Sequence, residues 1–224
     1  MTYGRDLELS SPSKKRAKIE RRVAVRKKQL EEGNTTDQFL DYKDVPEGEF
    51  GELVKHCTAA LYSYNHATGD LAIKVMPSTA HDSAAGVIQD TIGTQIISIN
   101  PRYQLDTLHT SIIRFGQWTK QADCSWGPEN NGPTAVVETG LSESTTRSIG
   151  NARGWIESVG STVNIAITVN IDTHQPFITI CKWVYGARQS SVGLQSARQA
   201  SPSAAIRTTV YFLDRQNNTM YLFY

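Results

Sequence analysis

Two acidic residues, each beside a short strand-like segment, are the residues of this sequence best suited to chemistry. Asp123 precedes the segment C-S-W, and Glu138 ends the proline-led apolar segment P-T-A-V-V (133–137). A carboxylate among apolar neighbours is costly to bury unless it is paired or bound to a cation. If the two segments form a hairpin, both carboxylates can face one Mg²⁺, which prefers a few hard oxygen ligands and keeps several waters. Such an ion would activate a water and neutralise charge on a phosphodiester.

The spacing of the two acids has a simpler interpretation as well, because an exposed aspartate and a strand-end glutamate without a shared role give the same pattern. Other catalytic classes have less support. The serines Ser125, Ser142 and Ser144 lack a G-x-S-x-G elbow, and the phosphate-binding glycine motifs do not occur. The three cysteines form no C-x-x-C pair, which favours reduced thiols over a zinc site.

An ordered set of longer segments surrounds the two acids and resembles fungal proteins of the PD-(D/E)XK nuclease superfamily and, more distantly, bacterial Uma-type endonuclease-like proteins. The segments are K-V-M-P-S-T-A-H (74–81), Q-A-D-C-S-W-G-P (121–128), P-T-A-V-V-E-T-G-L-S-E-S (133–144), N-A-R-G-W (151–155), V-N-I-A-I-T-V-N-I-D (163–172) and F-I-T-I-C-K-W (177–183). They span about half of the chain. The resemblance implies an α/β (α+β) fold with a restriction-endonuclease-like mixed sheet flanked by helices. It also implies a nuclease that uses Mg²⁺ or Mn²⁺ and acts on DNA.

The resemblance assigns roles to particular residues. Asp123 and Glu138 match the first and second acids of the motif, and the carbonyl of Thr139 would be a third metal ligand. His81 matches a histidine that opens a helix near the site, although a helix-start histidine without a catalytic role gives the same pattern. The lysine of the motif should stand two residues after the second acid, where this sequence has Gly140.

Three basic residues are candidates for the missing lysine. Arg153 lies near the place where the Uma-type proteins carry a lysine on the following helix, but an arginine stays protonated and cannot act as a base. Lys120 and Lys182 lie on neighbouring strands, where solvated lysines are common. The missing lysine therefore leaves open a second hypothesis, a catalytically inactive nuclease fold that binds a partner.

The basic residues are concentrated at the start of the chain. Of the 23 bases and 22 acids, ten bases and five acids lie in the first 32 residues, so the rest carries 13 bases and 17 acids. A helix is predicted from Lys14 to Glu32, and its nine bases suit nuclear import or contact with nucleic-acid phosphates. They are Lys14, Lys15, Arg16, Lys18, Arg21, Arg22, Arg26, Lys27 and Lys28. The same composition is typical of a solvated charged helix. A basic arm before a β-rich body also fits a third hypothesis, a virus-like coat subunit.

The predicted organisation is a basic helical arm (1–33), a linker (34–48) and a nuclease-like domain (49–224) with a mobile loop at 186–204. Further helices are predicted at Glu49–Tyr64, Asp82–Thr94 and Ser142–Val159. Strands are predicted at Asp70–Met76, Ile96–Ile99, Ser111–Phe115, Cys124–Trp126, Thr134–Thr139, Val163–Ile171, Phe177–Trp183, Ile206–Leu213 and Met220–Phe223. No apolar run approaches the roughly 18 residues of a membrane span, and no secretory signal is recognisable. We expect an intracellular, nuclear protein whose partner is DNA, with a homodimer as a possible assembly.

Overall fold

The computed structural model describes residues 13–35, 37–57, 60–75, 79–99, 105–108, 111–128, 131–172, 174–175, 177–186, 204–214 and 219–223. Within these residues the chain forms four helices and twelve strands, and the strands make two sheets. The mixed α+β class expected from the sequence is confirmed. None of the helices in this described part is long and apolar enough to cross a membrane.

The first sheet has five antiparallel strands in the order β1-β3-β2-β6-β5. They are β1 (Phe39–Tyr42), β2 (Ala60–Asn65), β3 (Asp70–Val75), β5 (Ile112–Phe115) and β6 (Trp118–Gln121). Two helices, α1 (Lys14–Glu31) and α2 (Glu47–His56), cover this sheet and share its core. The stripe formed by Ile19, Val23 and Leu30 is the part of α1 that is buried in this core.

The second sheet has seven strands in the order β12-β11-β10-β9-β8-β7-β4. They are β4 (Leu105–Thr107), β7 (Cys124–Pro128), β8 (Ala135–Leu141), β9 (Ile165–Ile171), β10 (Phe177–Gly186), β11 (Ala204–Asp214) and β12 (Thr219–Phe223). Only β8 and β9 pair in parallel among these strands. Two parallel neighbours need a crossover connection, and α4 (Thr145–Ile156) supplies it. The remaining helix, α3 (Thr79–Ile99), contacts β8.

The crossover helix packs as the sequence predicts. Trp155 is fully buried in one cluster with Val136 of β8 and Ala166 of β9, and Ile149 packs against the same cluster. Ser144 caps the helix by accepting a hydrogen bond from the Arg147 backbone N–H. The helix is therefore shorter than the predicted range Ser142–Val159, while its apolar face is the predicted one.

Two predicted elements are wrong in type. The helix predicted over Glu49–Tyr64 ends at His56, and its last third is the strand β2, paired with β3 on one side and β6 on the other. The strand predicted at Ile96–Ile99 is the last turn of α3. A short apolar run looks the same in a strand and in a buried helix, so the packing around it decides its conformation.

The segment predicted as a linker, 34–48, contains β1, which pairs with β3 at the edge of the first sheet. The basic segment is a helix, as predicted, but it does not project as a separate arm, because its apolar stripe is part of the first core. The predicted mobile loop at 186–204 lies outside the described residues, except that β10 extends to Gly186 and β11 begins at Ala204.

Candidate active site

The two acids predicted to share a site lie on one hairpin. β7 and β8 are antiparallel neighbours, with Cys124 opposite Val137, so Asp123 and Glu138 stand at the same end of the strand pair. The Thr139 backbone N–H donates to Asp123 Oδ2 at 2.5 Å. This hydrogen bond fixes the Asp123 carboxylate beside the strand that carries Glu138, and the strand pairing supplies the hairpin on which a shared site depends.

A lysine of β3 to which the sequence patterns gave no role completes the cluster. Lys74 of β3 places its Nζ 2.5 Å from Asp123 Oδ2 and 3.8 Å from Glu138 Oε2. The three side chains are only 7%, 1% and 8% exposed, respectively. The first sheet thus contributes an ammonium to carboxylates of the second sheet. One signal was available in the sequence, since Lys74 interrupts the otherwise apolar end of the strand L-A-I-K-V.

Burial and mutual attraction determine the charges of this cluster. Burial opposes the charged form of Lys74, but Asp123 and Glu138 outweigh it, so the pKa of this lysine is raised above its ordinary value. Burial raises the pKa of Glu138, and Lys74 opposes that rise. The lysine therefore stays protonated, and its ammonium favours the charged forms of the two acids.

Trp155 positions the second acid. Its indole N–H donates to Glu138 Oε1 at 2.6 Å, at a point where the ring is fully buried. The other oxygen, Oε2, is the one nearer to Lys74. The crossover helix thus contacts Oε1 of Glu138, and the strand β3 contacts Oε2.

Lys120, one of the candidates for the missing lysine, lies next to this cluster. Its residue is 4% exposed, and its Nζ lies 4.6 Å from the centre of the Trp155 ring and 3.4 Å from the Asn151 carbonyl oxygen. Burial lowers the pKa of Lys120 to about 8, although Glu138 opposes the shift. Lys120 and Glu138 line the same narrow cleft.

Gly140, where the resemblance predicts a lysine, lies against the Glu143 side chain. A Cβ added at Gly140 would lie 2.8 Å from the Glu143 Cβ, which is closer than such atoms approach. The backbone of Glu143 is held by Asn170, which accepts from its N–H and donates to its carbonyl. Its Oε1 accepts from Asn151 Nδ2. Burial raises the pKa of Glu143 to about 7.

The other predicted residues lie elsewhere. Arg153 is on the exposed side of α4 and pairs with Glu157, so it does not join the two carboxylates. Lys182 is exposed on β10, which β9 separates from β8. The backbone of His81 lies in the first turns of α3, and its side chain is outside what the structure describes.

The nine bases of α1 divide into two groups. Ion pairs with nearby acids hold Arg16, Arg26, Lys27 and Lys28. The other group lies on exposed positions: Lys14, Lys15, Lys18, Arg21 and Arg22. Within this second group, Lys15 donates to the carbonyl oxygens of Lys43 and Asp44. Only part of the predicted phosphate-binding charge is thus open to a ligand.

The donor atoms of the cluster suit Mg²⁺ or Mn²⁺. Asp123 and Glu138 supply carboxylate oxygens, and the Thr139 carbonyl points to the same side of β8 as its N–H, which faces Asp123. The described residues contain no group of three or more His, Cys, Asp or Glu placed to hold an ion. A bound ion would therefore keep several waters or substrate oxygens, as Mg²⁺ does. It would also compete with the Lys74 ammonium for the same carboxylates.

Comparisons with known proteins add no assignment. No protein-family model matches the chain, and no curated protein matches it significantly. The PD-(D/E)XK resemblance stays a prediction.

Proposed function

We propose that the protein is a metal-dependent phosphodiesterase of PD-(D/E)XK type that acts on nucleic acid, with DNA as the expected substrate. Asp123, Glu138 and the Thr139 carbonyl would hold Mg²⁺ or Mn²⁺. Lys74 would take the role of the motif lysine, because this chain has Gly140 at the position of that lysine. The observation that carries the proposal is the position of the Lys74 ammonium, within reach of both motif acids although it comes from a different strand and sheet.

The residues of the cluster divide the chemistry among themselves. A bound divalent ion supplies a polarised water and neutralises charge on the phosphodiester. Lys74 offers N–H donors to an oxygen that gains negative charge, at a place from which water is largely excluded. The Thr139 N–H orients Asp123, and the Trp155 N–H orients Glu138. Because burial lowers the pKa of Lys120 to about 8, this residue can hold or release a proton beside the same cleft.

Burial of the cluster favours a second candidate, a catalytically inactive nuclease fold that only binds a partner. Exposures of 1% for Asp123 and 8% for Glu138 leave little room for a substrate oxygen. In this alternative, the ion pair with Lys74 is a structural element of the core. A buried ion pair contributes little net stability by itself, so its presence does not decide between the two candidates.

The deciding experiment is digestion of supercoiled plasmid and of circular single-stranded DNA in Mn²⁺. We compare the wild type with Glu138→Gln and Lys74→Met, and with Lys182→Met as a matched control on an exposed strand position. The proposal expects cleavage by the wild type and the control, and a loss on the order of 100-fold or more in the two cluster variants. Equal cleavage by the wild type and Glu138→Gln contradicts it. Cleavage by none of the proteins supports the inactive binding module.

A further inference from the structure

Glu143 is a third acid beside the cluster, and the chemistry described so far gives it no role. Gly140 follows Glu138 by two residues on β8, so its side-chain direction is on the same face of the strand as that of Glu138. The Glu143 Cδ lies 3.3 Å from the position that a Cβ of Gly140 would occupy. Same-face neighbours along a strand are separated by about 6.5 Å, which leaves room for one water molecule between the carboxylates of Glu138 and Glu143.

The backbone and two asparagines hold Glu143 in this place. Ser142 has a φ of 48°, a left-handed conformation that residues with a side chain rarely adopt, and the chain turns there so that Glu143 lies against Gly140. Asn170 makes two hydrogen bonds to the Glu143 backbone. Asn151 Nδ2 donates to Glu143 Oε1 at 3.1 Å, while Oε2 faces Gly140. The carboxylate is therefore oriented by its surroundings.

The groups around Glu143 place its titration close to neutral pH. Burial is the largest influence and raises the pKa of Glu143 to about 7. The Lys74 ammonium lowers this pKa, whereas the carboxylates of Glu138 and Asp123 raise it. Arg147 of the crossover helix also lowers it. A general base is most effective when its pKa lies close to the working pH, and this carboxyl meets that condition.

The two lysines of the site are less suited to accept a proton. Lys74 stays protonated because Asp123 and Glu138 raise its pKa. Burial lowers the pKa of Lys120 to about 8, so this lysine is mostly protonated at neutral pH. Glu143, in contrast, is deprotonated in a large share of the molecules at neutral pH.

We infer that Glu143 is the general base of the proposed phosphodiesterase and that its carboxylate takes a proton from the attacking water. In this step, the water oxygen forms a bond to phosphorus while one of its protons passes to Glu143. The bond from phosphorus to the leaving ester oxygen breaks, and that oxygen keeps the electron pair and takes a proton from solvent. This inference rests on the proposed function, because it names the proton acceptor of the same site.

The test is the pH dependence of plasmid cleavage under single-turnover conditions in saturating Mn²⁺, from about pH 5.5 to about pH 8.5. Glu143→Gln keeps the side-chain volume and an oxygen that can accept from Asn151. Glu143→Asp keeps a carboxylate and serves as a second variant. Glu157→Gln is the matched control, because Glu157 is an acid at the end of the same crossover helix and pairs with Arg153.

We expect the wild-type rate to rise about tenfold per pH unit in acid and to level off above about pH 7, where Glu143 is deprotonated. Glu143→Gln should be about 10²–10⁴-fold slower at neutral pH. Its rate should continue to rise with pH, because hydroxide must then take the proton. Glu143→Asp should level off at a reduced rate, and Glu157→Gln should match the wild type. A Glu143→Gln rate that levels off near pH 7, or that stays within about threefold of the wild type, overturns the inference.

Thermal unfolding with and without Mn²⁺ separates loss of the base from loss of the metal site. Glu143→Gln should keep the rise in melting temperature that Mn²⁺ gives the wild type, whereas Glu138→Gln should lose it. If Glu143→Gln also loses this rise, Glu143 belongs to the metal site, and its role as the base is overturned.

Failure of the proposed function gives a different result from failure of the inference. If the wild type does not cleave DNA in Mn²⁺, the phosphodiesterase is refuted and the base with it. Cleavage that Glu138→Gln abolishes but Glu143→Gln leaves intact keeps the phosphodiesterase and removes the base.

Discussion

Replacing Lys74 with methionine should destabilise the protein strongly and leave a cation-binding site behind. The substitution keeps most of the side-chain volume but removes the ammonium that lies 2.5 Å from Asp123 Oδ2 and 3.8 Å from Glu138 Oε2. At an effective dielectric constant of about 20, the two attractions are worth roughly 4–7 kcal/mol each before desolvation is counted. Desolvation of the buried groups offsets much of this, and breaking a buried pair costs about 3–5 kcal/mol net. For a chain of this length, the melting temperature should fall by about 6–20 °C.

The assay is thermal unfolding of the wild type and Lys74→Met, with and without Mn²⁺. In the variant, Asp123 and Glu138 lose their countercharge, so a divalent ion should bind them and recover much of the lost stability. The wild type should gain less, because its ammonium competes for the same oxygens. The double variant Lys74→Met/Glu138→Gln should lose the recovery. A variant whose melting temperature Mn²⁺ does not raise would refute the argument that these carboxylates form a metal site.

Three further predictions concern the residues around the cluster. Trp155→Ala should cost about 3–5 kcal/mol of stability, measured by urea unfolding, because a fully buried ring is lost. Trp155→Phe should cost less, but it should still reduce the proposed activity because it removes the hydrogen bond to Glu138. An unchanged stability of Trp155→Ala would contradict the packing. Since burial raises the pKa of Glu143 to about 7 from an ordinary 4.5, the folded state binds more protons between these values, so stability falls as pH rises through this window. The contribution of Glu143 to that fall should be up to about 3 kcal/mol, so the fall between pH 5 and pH 7.5 in urea titrations should be smaller by this amount in Glu143→Gln, where Glu138 still contributes. Parallel pH curves of the wild type and Glu143→Gln would refute this assignment. Gly140→Ala should cost about 1–3 kcal/mol of stability because its Cβ collides with Glu143. Gly150→Ala has open space around it in a helix, so it should be neutral or stabilising by up to about 1 kcal/mol. Equal melting temperatures of these two variants would contradict the collision.

Local patterns were sufficient to predict the two strands beside the acids, while their pairing was a condition of the predicted metal site. The proline-led apolar run before Glu138 and the short segment after Asp123 are both strands, and they pair with each other across a short connection. The amphipathic pattern of the crossover helix predicted that Trp155 packs on the sheet. These features depend on residues close in sequence, whose periodicity reports the burial of one face.

Long-range packing determined what local patterns could not show. The β2 segment, with apolar residues on both faces, continues the pattern of α2 but forms a strand because β3 and β6 flank it. Likewise, the charge of α1 suggested a free arm, while three of its apolar residues are buried in the first core. Neither outcome can be derived from the segment alone, because the free energy comes from partners elsewhere in the chain.

The sequence by itself determined the types of most strands and helices, the positions of the two acids in them and the concentration of bases near the start. Only the tertiary structure decided which lysine contacts the two acids. Lys74 lies 49 residues before Asp123, in the other sheet, and reaches it because the end of β3 meets the β7–β8 hairpin. A charge buried among apolar strands needs a countercharge, but the need does not specify where in the chain that countercharge stands. The meeting of the two sheets brings the ammonium and the carboxylates together, and this contact is the basis of the proposed activity.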